Sequence, residues 1–211
     1  MLQRPDQRVA IFIDTQNMYH SAKHIYAARV HFGAIVEAAA AGRQIVRALA
    51  YVAKSKTGEE HAFFEALTQA GIELKVKDVQ EFASGAKKAD WDVGMAVDAI
   101  ALSGRVDAVV LVTGDGDFVP LVEYLKAHGI RCEVVAFAES TNARLKEVAD
   151  SFLDVSADPT RFLIRAGRGR APNGSNGGNE TEAKSSRNPR GRRPSAPEEE
   201  PAAPRAIRVT F

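Results

Sequence analysis

Ala108-Val109-Val110-Leu111-Val112-Thr113-Gly114-Asp115-Gly116-Asp117-Phe118 runs without a break from apolar residues into a turn of two glycines and two aspartates, and then into a segment with helical spacing. A short, continuous apolar run marks a strand buried on both faces, and such strands belong to parallel sheets covered by helices. The start of the chain repeats the pattern: Val9-Ala10-Ile11-Phe12-Ile13 ends in Asp14. Further strand-like runs occupy 45–52 and 131–137, a shorter one 73–76, and Phe152-Leu153-Asp154-Val155 is expected to add a last strand. Helical spacing fills the intervals at about 16–27, 33–41, 59–70, 91–103, 118–128 and 142–150. Gly71, Gly104 and Gly129 fall just past three of these segments, where a residue with positive φ commonly ends a helix. The alternation predicts an α/β domain with a mainly parallel sheet.

The domain is expected to span 1–160 and to be followed by a basic Gly/Arg/Pro-rich tail over 161–211. Residues 1–160 hold 17 Lys and Arg against 22 Asp and Glu, a net of −5, whereas 161–211 hold 11 against 5, a net of +6. The tail, with stretches such as Arg165-Ala166-Gly167-Arg168-Gly169-Arg170, has too little apolar surface to offset its chain entropy and is expected to be disordered. Its charge favours polyanions, so nonspecific nucleic-acid binding stands beside the role of a solubilising linker. The final Ile207-Arg208-Val209-Thr210-Phe211 alternates apolar and polar residues, and a frayed terminus is expected there. No run reaches the roughly 18–20 apolar residues of a membrane span, so no membrane partner is expected. The N-terminus lacks the pattern of a signal peptide, which points to the cytoplasm. The single cysteine, Cys132, lies in an apolar run and reads as a buried structural thiol in a reducing compartment.

In an open parallel sheet, ligands bind beyond the carboxyl ends of the strands. Asp14 follows the first strand, with Asn17 one helical turn on. Asp115 and Asp117 follow the 108–113 run that ends at Thr113, and Asp92 lies in the first turn of another helix. Each acid taken alone has a structural reading: Asp14 as a helix N-cap, Asp90 and Asp92 as caps complementing a helix dipole, Asp117 as the cap of the helix starting at Phe118. Their convergence on one sheet edge favours chemistry. Carboxylates held together repel one another, and a hard divalent cation, Mg²⁺ or Mn²⁺, resolves that repulsion through oxygen ligands. Such a cation lowers the pKa of water and stabilises charge on phosphate, which suits phosphodiester hydrolysis. Asp98 sits beside the stripe Val93, Ala96, Val97 and Ile100, expected to be the core face of its helix, and is assigned a supporting role with Asn17 and Thr113.

The stretches Ile13-Asp14-Thr15-Gln16-Asn17, Lys88-Ala89-Asp90-Trp91-Asp92-Val93-Gly94-Met95-Ala96-Val97-Asp98-Ala99 and Val112-Thr113-Gly114-Asp115-Gly116-Asp117-Phe118-Val119-Pro120-Leu121, in that order, resemble the signature of the NYN domain, or LabA-like, family of the PIN-like nuclease superfamily. The resemblance spans roughly 8–156. It implies a Rossmann-like three-layer α/β/α sandwich and a metal-dependent ribonuclease. Asp14, Asp92, Asp115 and Asp117 then become the catalytic, metal-binding acids for one or two Mg²⁺ or Mn²⁺ ions, with RNA as substrate. Gly116 stands where members often have serine. Lys87 and Lys88 lie near the place of a usual lysine before Asp92, and Trp91 reads either as a base-stacking platform or as a packing residue.

Other chemistries fit less well. A haloacid-dehalogenase-type phosphatase needs a second aspartate where Gln16 stands, and a dinucleotide site needs glycines where the chain has Asp14-Thr15-Gln16-Asn17. A toprim-type domain shares the DxD turn but usually carries glutamate after its first strand. His20, His24, His31, His61 and His128 show no zinc-ligand spacing with the cysteine. A homodimer is compatible with the sequence, but nothing in it specifies one. The competing functional class is a non-catalytic RNA-binding or regulatory module that combines this fold with the basic tail. A chain ended after about residue 160 separates the two: an enzyme is expected to keep metal-dependent cleavage with weaker, more salt-sensitive binding, whereas a tail-driven binder loses most of its RNA affinity. Cleavage and binding assays on that truncation decide between them.

Overall fold

The computed structural model describes residues 5–54, 60–81, 87–88 and 90–165, with the backbone alone for 80–81 and 87–88. In chain order the elements are β1 (Arg8–Asp14), α1 (Thr15–Tyr26), β2 (Arg29–Val30), α2 (Phe32–Ala40), β3 (Gln44–Lys54), α3 (His61–Gln69), β4 (Glu73–Asp78), β5 (Gln80–Glu81) and β6 (Lys87–Lys88). They continue with α4 (Asp92–Ser103), β7 (Ala108–Val112), α5 (Val119–Ala127), β8 (Arg131–Ala136), α6 (Ala143–Val148), β9 (Ser151–Asp154), α7 (Pro159–Phe162) and β10 (Leu163–Ile164). Chain contacts divide the protein into Met1–Gly169 and Arg170–Phe211, and the second unit lies outside the described residues. So do the expected helix start at Glu59, the side chains of Lys87 and Lys88, and the 207–211 pentapeptide.

Six strands form one sheet in the order β4-β3-β1-β7-β8-β9, and every neighbouring pair is parallel. The chain moves outward from β1 through β3 to β4, returns to β7 on the other side of β1, and continues through β8 to β9. The strand order therefore reverses between β1 and β7, the place where open α/β sheets bind ligands. Alternation along each strand feeds two cores. Val9, Ile11 and Ile13 of β1 join Met18, Ala22, Ile35 and Leu67 on the side of α1, α2 and α3. Ala10 and Phe12 join Met95, Leu102, Leu121, Leu125 and Leu145 on the side of α4, α5 and α6. The result is the three-layer α/β/α sandwich expected from the sequence. Cys132 belongs to the second core, and burial, with Asp150 nearby, pushes its thiol up to about 12, as suits a packing residue.

Three expectations need correction. The predicted core stripe of α4 faces outward: Val93 is 78% and Val97 58% exposed, while Met95, Ala99 and Leu102 are buried. Asp98 lies on the inward side, where the Tyr51 hydroxyl donates to it at 2.8 Å and Lys75 pairs with it at 3.2 Å. Gly71 and Gly129 have positive φ, but Gly104 ends α4 at φ −68°, so its helix stop needs no left-handed residue. The folded elements also continue past 160. Leu163 and Ile164 pair antiparallel with Val30 and Arg29, the His31 amide donates to the Phe162 carbonyl at 2.8 Å, and the Phe162 and Leu163 side chains are buried.

A truncation test of tail function must therefore keep residues through Arg165. A chain ended after Asp158 is expected to be less stable than one ended after Arg165 by about 3 kcal/mol or more, at roughly 1.5–3 kcal/mol for each buried Phe or Leu. Urea unfolding of the two chains checks this, and equal midpoints would refute it.

Candidate metal centre

The register of the central strands decides which polar groups meet. Ile13 lies opposite Val112 across the β1–β7 pair, so Asp14 and Thr113 leave the sheet side by side. Asp14 ends β1 and caps α1. Its Oδ1 accepts from the Asn17 amide at 3.0 Å and its Oδ2 from the Thr113 hydroxyl at 3.2 Å. The same hydroxyl oxygen accepts from the Asp115 amide at 3.2 Å, and Asn17 Oδ1 accepts from the Gly114 amide at 2.9 Å. Thr113 and Asn17 thus tie the start of α1 to the turn after β7. Burial raises the Asp14 carboxyl above its ordinary value, hydrogen bonds from Asn17 and Thr113 oppose the shift, and the charge of Asp115 adds to it.

Asp115 Oδ1 accepts from the Asp117 amide at 3.0 Å and caps a single 3₁₀ turn, Gly116–Phe118, that leads into α5. The structural role expected of Asp117 therefore belongs to Asp115, and α5 has no side-chain cap. Both glycines of the turn sit at close approaches. A Cβ on Gly114 would stand 3.1 Å from the Ser140 carbonyl oxygen, and one on Gly116 would stand 2.5 Å from Asn142 Nδ2. A serine at position 116 would therefore require the Asn142 side chain to shift. Sequence reasoning missed Asn142 as part of the site. Its signal was that of an ordinary N-cap, which it also is, accepting from Arg144 and Leu145 at the start of α6 while its own amide donates to the Gly114 carbonyl at 2.9 Å.

Asp92 opens α4, and its amide donates to Asp90 Oδ1 at 2.9 Å. One carboxylate oxygen from each of Asp92, Asp115 and Asp117 lies within 4.8 Å of the others. Desolvation first, then the hydrogen bond with Asp90 and the charges of Asp90, Asp14 and Asp115, pushes the Asp92 carboxyl up to about 7. Asp14 lies outside this triad but close enough to Asp115 to feel its charge. Asp98 is further removed, engaged with Tyr51 and Lys75 on the inner side of α4. Of the residues singled out in the sequence, the structure groups Asp92, Asp115 and Asp117, places Asp14, Asn17 and Thr113 behind them, and assigns Asp98 to holding the helix.

Trp91 is half-buried beside Asp92. Its indole N–H donates to the Val52 carbonyl at 3.0 Å, and its ring meets Tyr51 edge-on with centroids 5.4 Å apart. A Cβ on Gly94 would stand 2.8 Å from the Trp91 ring, so that glycine leaves room for it.

Comparison with known proteins agrees with this fold. The model of the NYN domain matches residues 8–157. The chain is 25% identical over 179 residues to the low amplitude and bright protein LabA of Synechococcus elongatus, covering 76% of this chain and 90% of that one. A crystal structure of a protein of unknown function from Vibrio parahaemolyticus superposes with a TM-score of 0.69 at 30% identity, over 78% of this chain and all of the other. With the signature stretches, the parallel sheet and the carboxylates at its switch point in agreement, the chain belongs to the NYN domain family, LabA-like, of the PIN-like nuclease superfamily.

Proposed function

We propose that this domain binds Mg²⁺ or Mn²⁺ through Asp92, Asp115 and Asp117, with Asp14 beside them, and hydrolyses RNA phosphodiester bonds. The observation that carries the reading is the approach of three carboxylates within 4.8 Å where the strand order reverses. An all-oxygen, anionic donor set suits a hard cation that keeps several water ligands. When bound, the cation supplies a water of lowered pKa and charge stabilisation at the phosphoryl oxygens. The chain supplies orientation. Thr113 and Asn17 fix Asp14 and the Gly114–Asp115 turn relative to one another, and the cap at Asp115 fixes where Asp117 begins its turn. Asp14, raised by burial, is a suitable acceptor for the proton of an attacking water. The cytoplasm is the proposed location, in keeping with the buried free thiol of Cys132, and no helix among the described residues is long and apolar enough to cross a membrane.

Asp115→Asn keeps an oxygen to cap the 3₁₀ turn but loses the charge, so its melting point should stay near that of the parent while cleavage of labelled single-stranded and structured RNA falls by about 100-fold or more, the scale for removing one group that stabilises transition-state charge. Asp14→Asn should behave likewise. Cleavage in Mn²⁺ or Mg²⁺ that survives both changes would refute the assignment, and RNA bound without cleavage by the parent would assign the fold to a binding role.

The raised Asp92 carboxyl gives a pH dependence. Its folded value of about 7 lies above the ordinary 3.8, so below pH 7 a proton occupies a group that a cation needs as an anion. In the metal-free protein, charging this group costs stability as pH rises from about 4 towards 7, and a bound cation offsets the cost. The rise in melting temperature on adding Mn²⁺ should therefore be small at pH 5.5 and several degrees larger at pH 8. A shift independent of pH would show that Asp92 does not bind the ion.

A further inference from the structure

We propose that Lys77 and Trp91 form a nucleotide-binding subsite that leads a single RNA strand into the acidic cluster. The sheet register sets the layout. Lys75 lies opposite Tyr51, and Tyr51 opposite Asp14, so these three positions share one level across β4, β3 and β1. Lys77 is two residues further along β4, on the same face as Lys75. β4 and β7 are three strand spacings apart, roughly 14 Å across the sheet, and the metal-binding turn follows β7 at the same carboxyl edge. Trp91 fills part of the interval, immediately before Asp92 in the chain.

The two side chains are placed rather than merely exposed. Lys77 Nζ donates to the Asp90 carbonyl at 2.9 Å and sits over the Trp91 ring, 5.4 Å from its centroid. Trp91 is held by Val52, by the edge contact with Tyr51 and by the space that Gly94 leaves. Lysines on an edge strand also discourage sheet extension. That role needs only exposure, whereas Lys77 is drawn onto the Asp90–Trp91 segment that leads into α4 and Asp92. Four carboxylates around a phosphodiester repel the rest of the strand, so a strand crossing them needs a cation at the approach. Lys75, the other lysine on this face of β4, is paired with Asp98. An ammonium for the phosphate next to an indole for the base or sugar is the combination that single-stranded nucleic acids use without sequence preference.

The inference rests on the nuclease reading for the direction of the strand, but its test does not depend on cleavage. Trp91 is the sole tryptophan of the chain, so its emission reports on this subsite and not on the basic tail. Full-length protein is titrated with single-stranded oligouridine in Ca²⁺, and again in chelator, with emission and strand anisotropy followed together. The expected result is saturable quenching of Trp91 that tracks binding. Lys77→Gln should lower affinity about 3-fold and reduce the slope of log affinity against log salt by about 0.7, one phosphate contact on a single strand, while Lys77→Arg restores both. Binding that leaves Trp91 emission unchanged, or an unaltered affinity and slope in Lys77→Gln, would overturn the subsite. Cleavage abolished by Asp115→Asn with Trp91 silent would leave the nuclease reading standing and remove only this inference; quenching without any cleavage would do the reverse.

Discussion

The parallel pairing of β1 with β7 is the constraint on which the site depends. The strands are neighbours in space although Asp14 and Asp115 are far apart in the chain, and their register puts Ile13 opposite Val112. Because side chains alternate at every residue, a slip of one position would turn Asp14 away from Thr113 and exchange the two cores, since Val9, Ile11 and Ile13 serve one face and Ala10 and Phe12 the other. The apolar residues that stabilise the sheet thereby also fix the polar groups at its end. No separate device is needed to bring the first and third signature stretches together. Asp92 arrives by a different route, through the docking of α4, which Met95, Ala99 and Leu102 pack and the Tyr51–Asp98–Lys75 contacts orient.

Concentrating carboxylates at one point opposes folding, and the surrounding structure shows how that is limited. Asp14 is stabilised as an anion by two donors, the Asn17 amide and the Thr113 hydroxyl, and Asp115 by the Asp117 amide. The Asp92 carboxyl is raised to about 7 by desolvation first and then by Asp90, Asp14 and Asp115 around it. The contrast with Glu133 is instructive. That glutamate is also buried in the sheet, but Arg43 grips it with two nitrogens at 2.8 and 2.9 Å, Arg131 adds a third contact, and the rest of the Arg43 guanidinium is spent on the Ala39 and Ala40 carbonyls. This buried carboxylate is given its cation from within the chain; no such fork grips the triad among the described residues.

The same distinction explains what was legible in the sequence. Strands could be read because burial on both faces leaves an unbroken apolar run, and the acids because turns at strand ends carry few residues and theirs are polar. The face of α4 could not be read from hydrophobicity, since Val93, Val97 and Ile100 make as good a stripe as Met95, Ala99 and Leu102; the choice was made by Asp98, whose partners lie on β3 and β4 and are invisible to local periodicity. Gly104 misled because a helix followed by a turn in the right-handed region needs no glycine. The pairing of β2 with β10 joins two-residue strands far apart in sequence, too short for any period to show. Ala27 and Ala41 close α1 and α2 with positive φ, a position where alanine is strained by about 1–2 kcal/mol, so composition gave no warning of either turn. Asn142 was hidden by having two roles, one of them ordinary.

Structural and functional readings of an acid compete only when one of them is sufficient. For Asp14 and Asp115 a cap is sufficient to explain an oxygen acceptor, although asparagine would cap as well without the repulsion. For Asp117 the structural reading fails: its amide donates to Asp115, but its exposed carboxylate accepts no hydrogen bond and joins no ion pair among the described residues. For Asp92 the structural reading is incomplete, because a charge at the start of a helix is favourable by only about 0.3–1 kcal/mol, while desolvation and the neighbouring carboxylates raise this carboxyl to about 7. Neither Asp92 nor Asp117 is accounted for by a structural role alone. A fold that satisfies Glu133 with a fork from Arg43, yet leaves Asp92 and Asp117 near Asp115 with no such fork among the described residues, gathers negative charge where a cation from outside the chain would complete it.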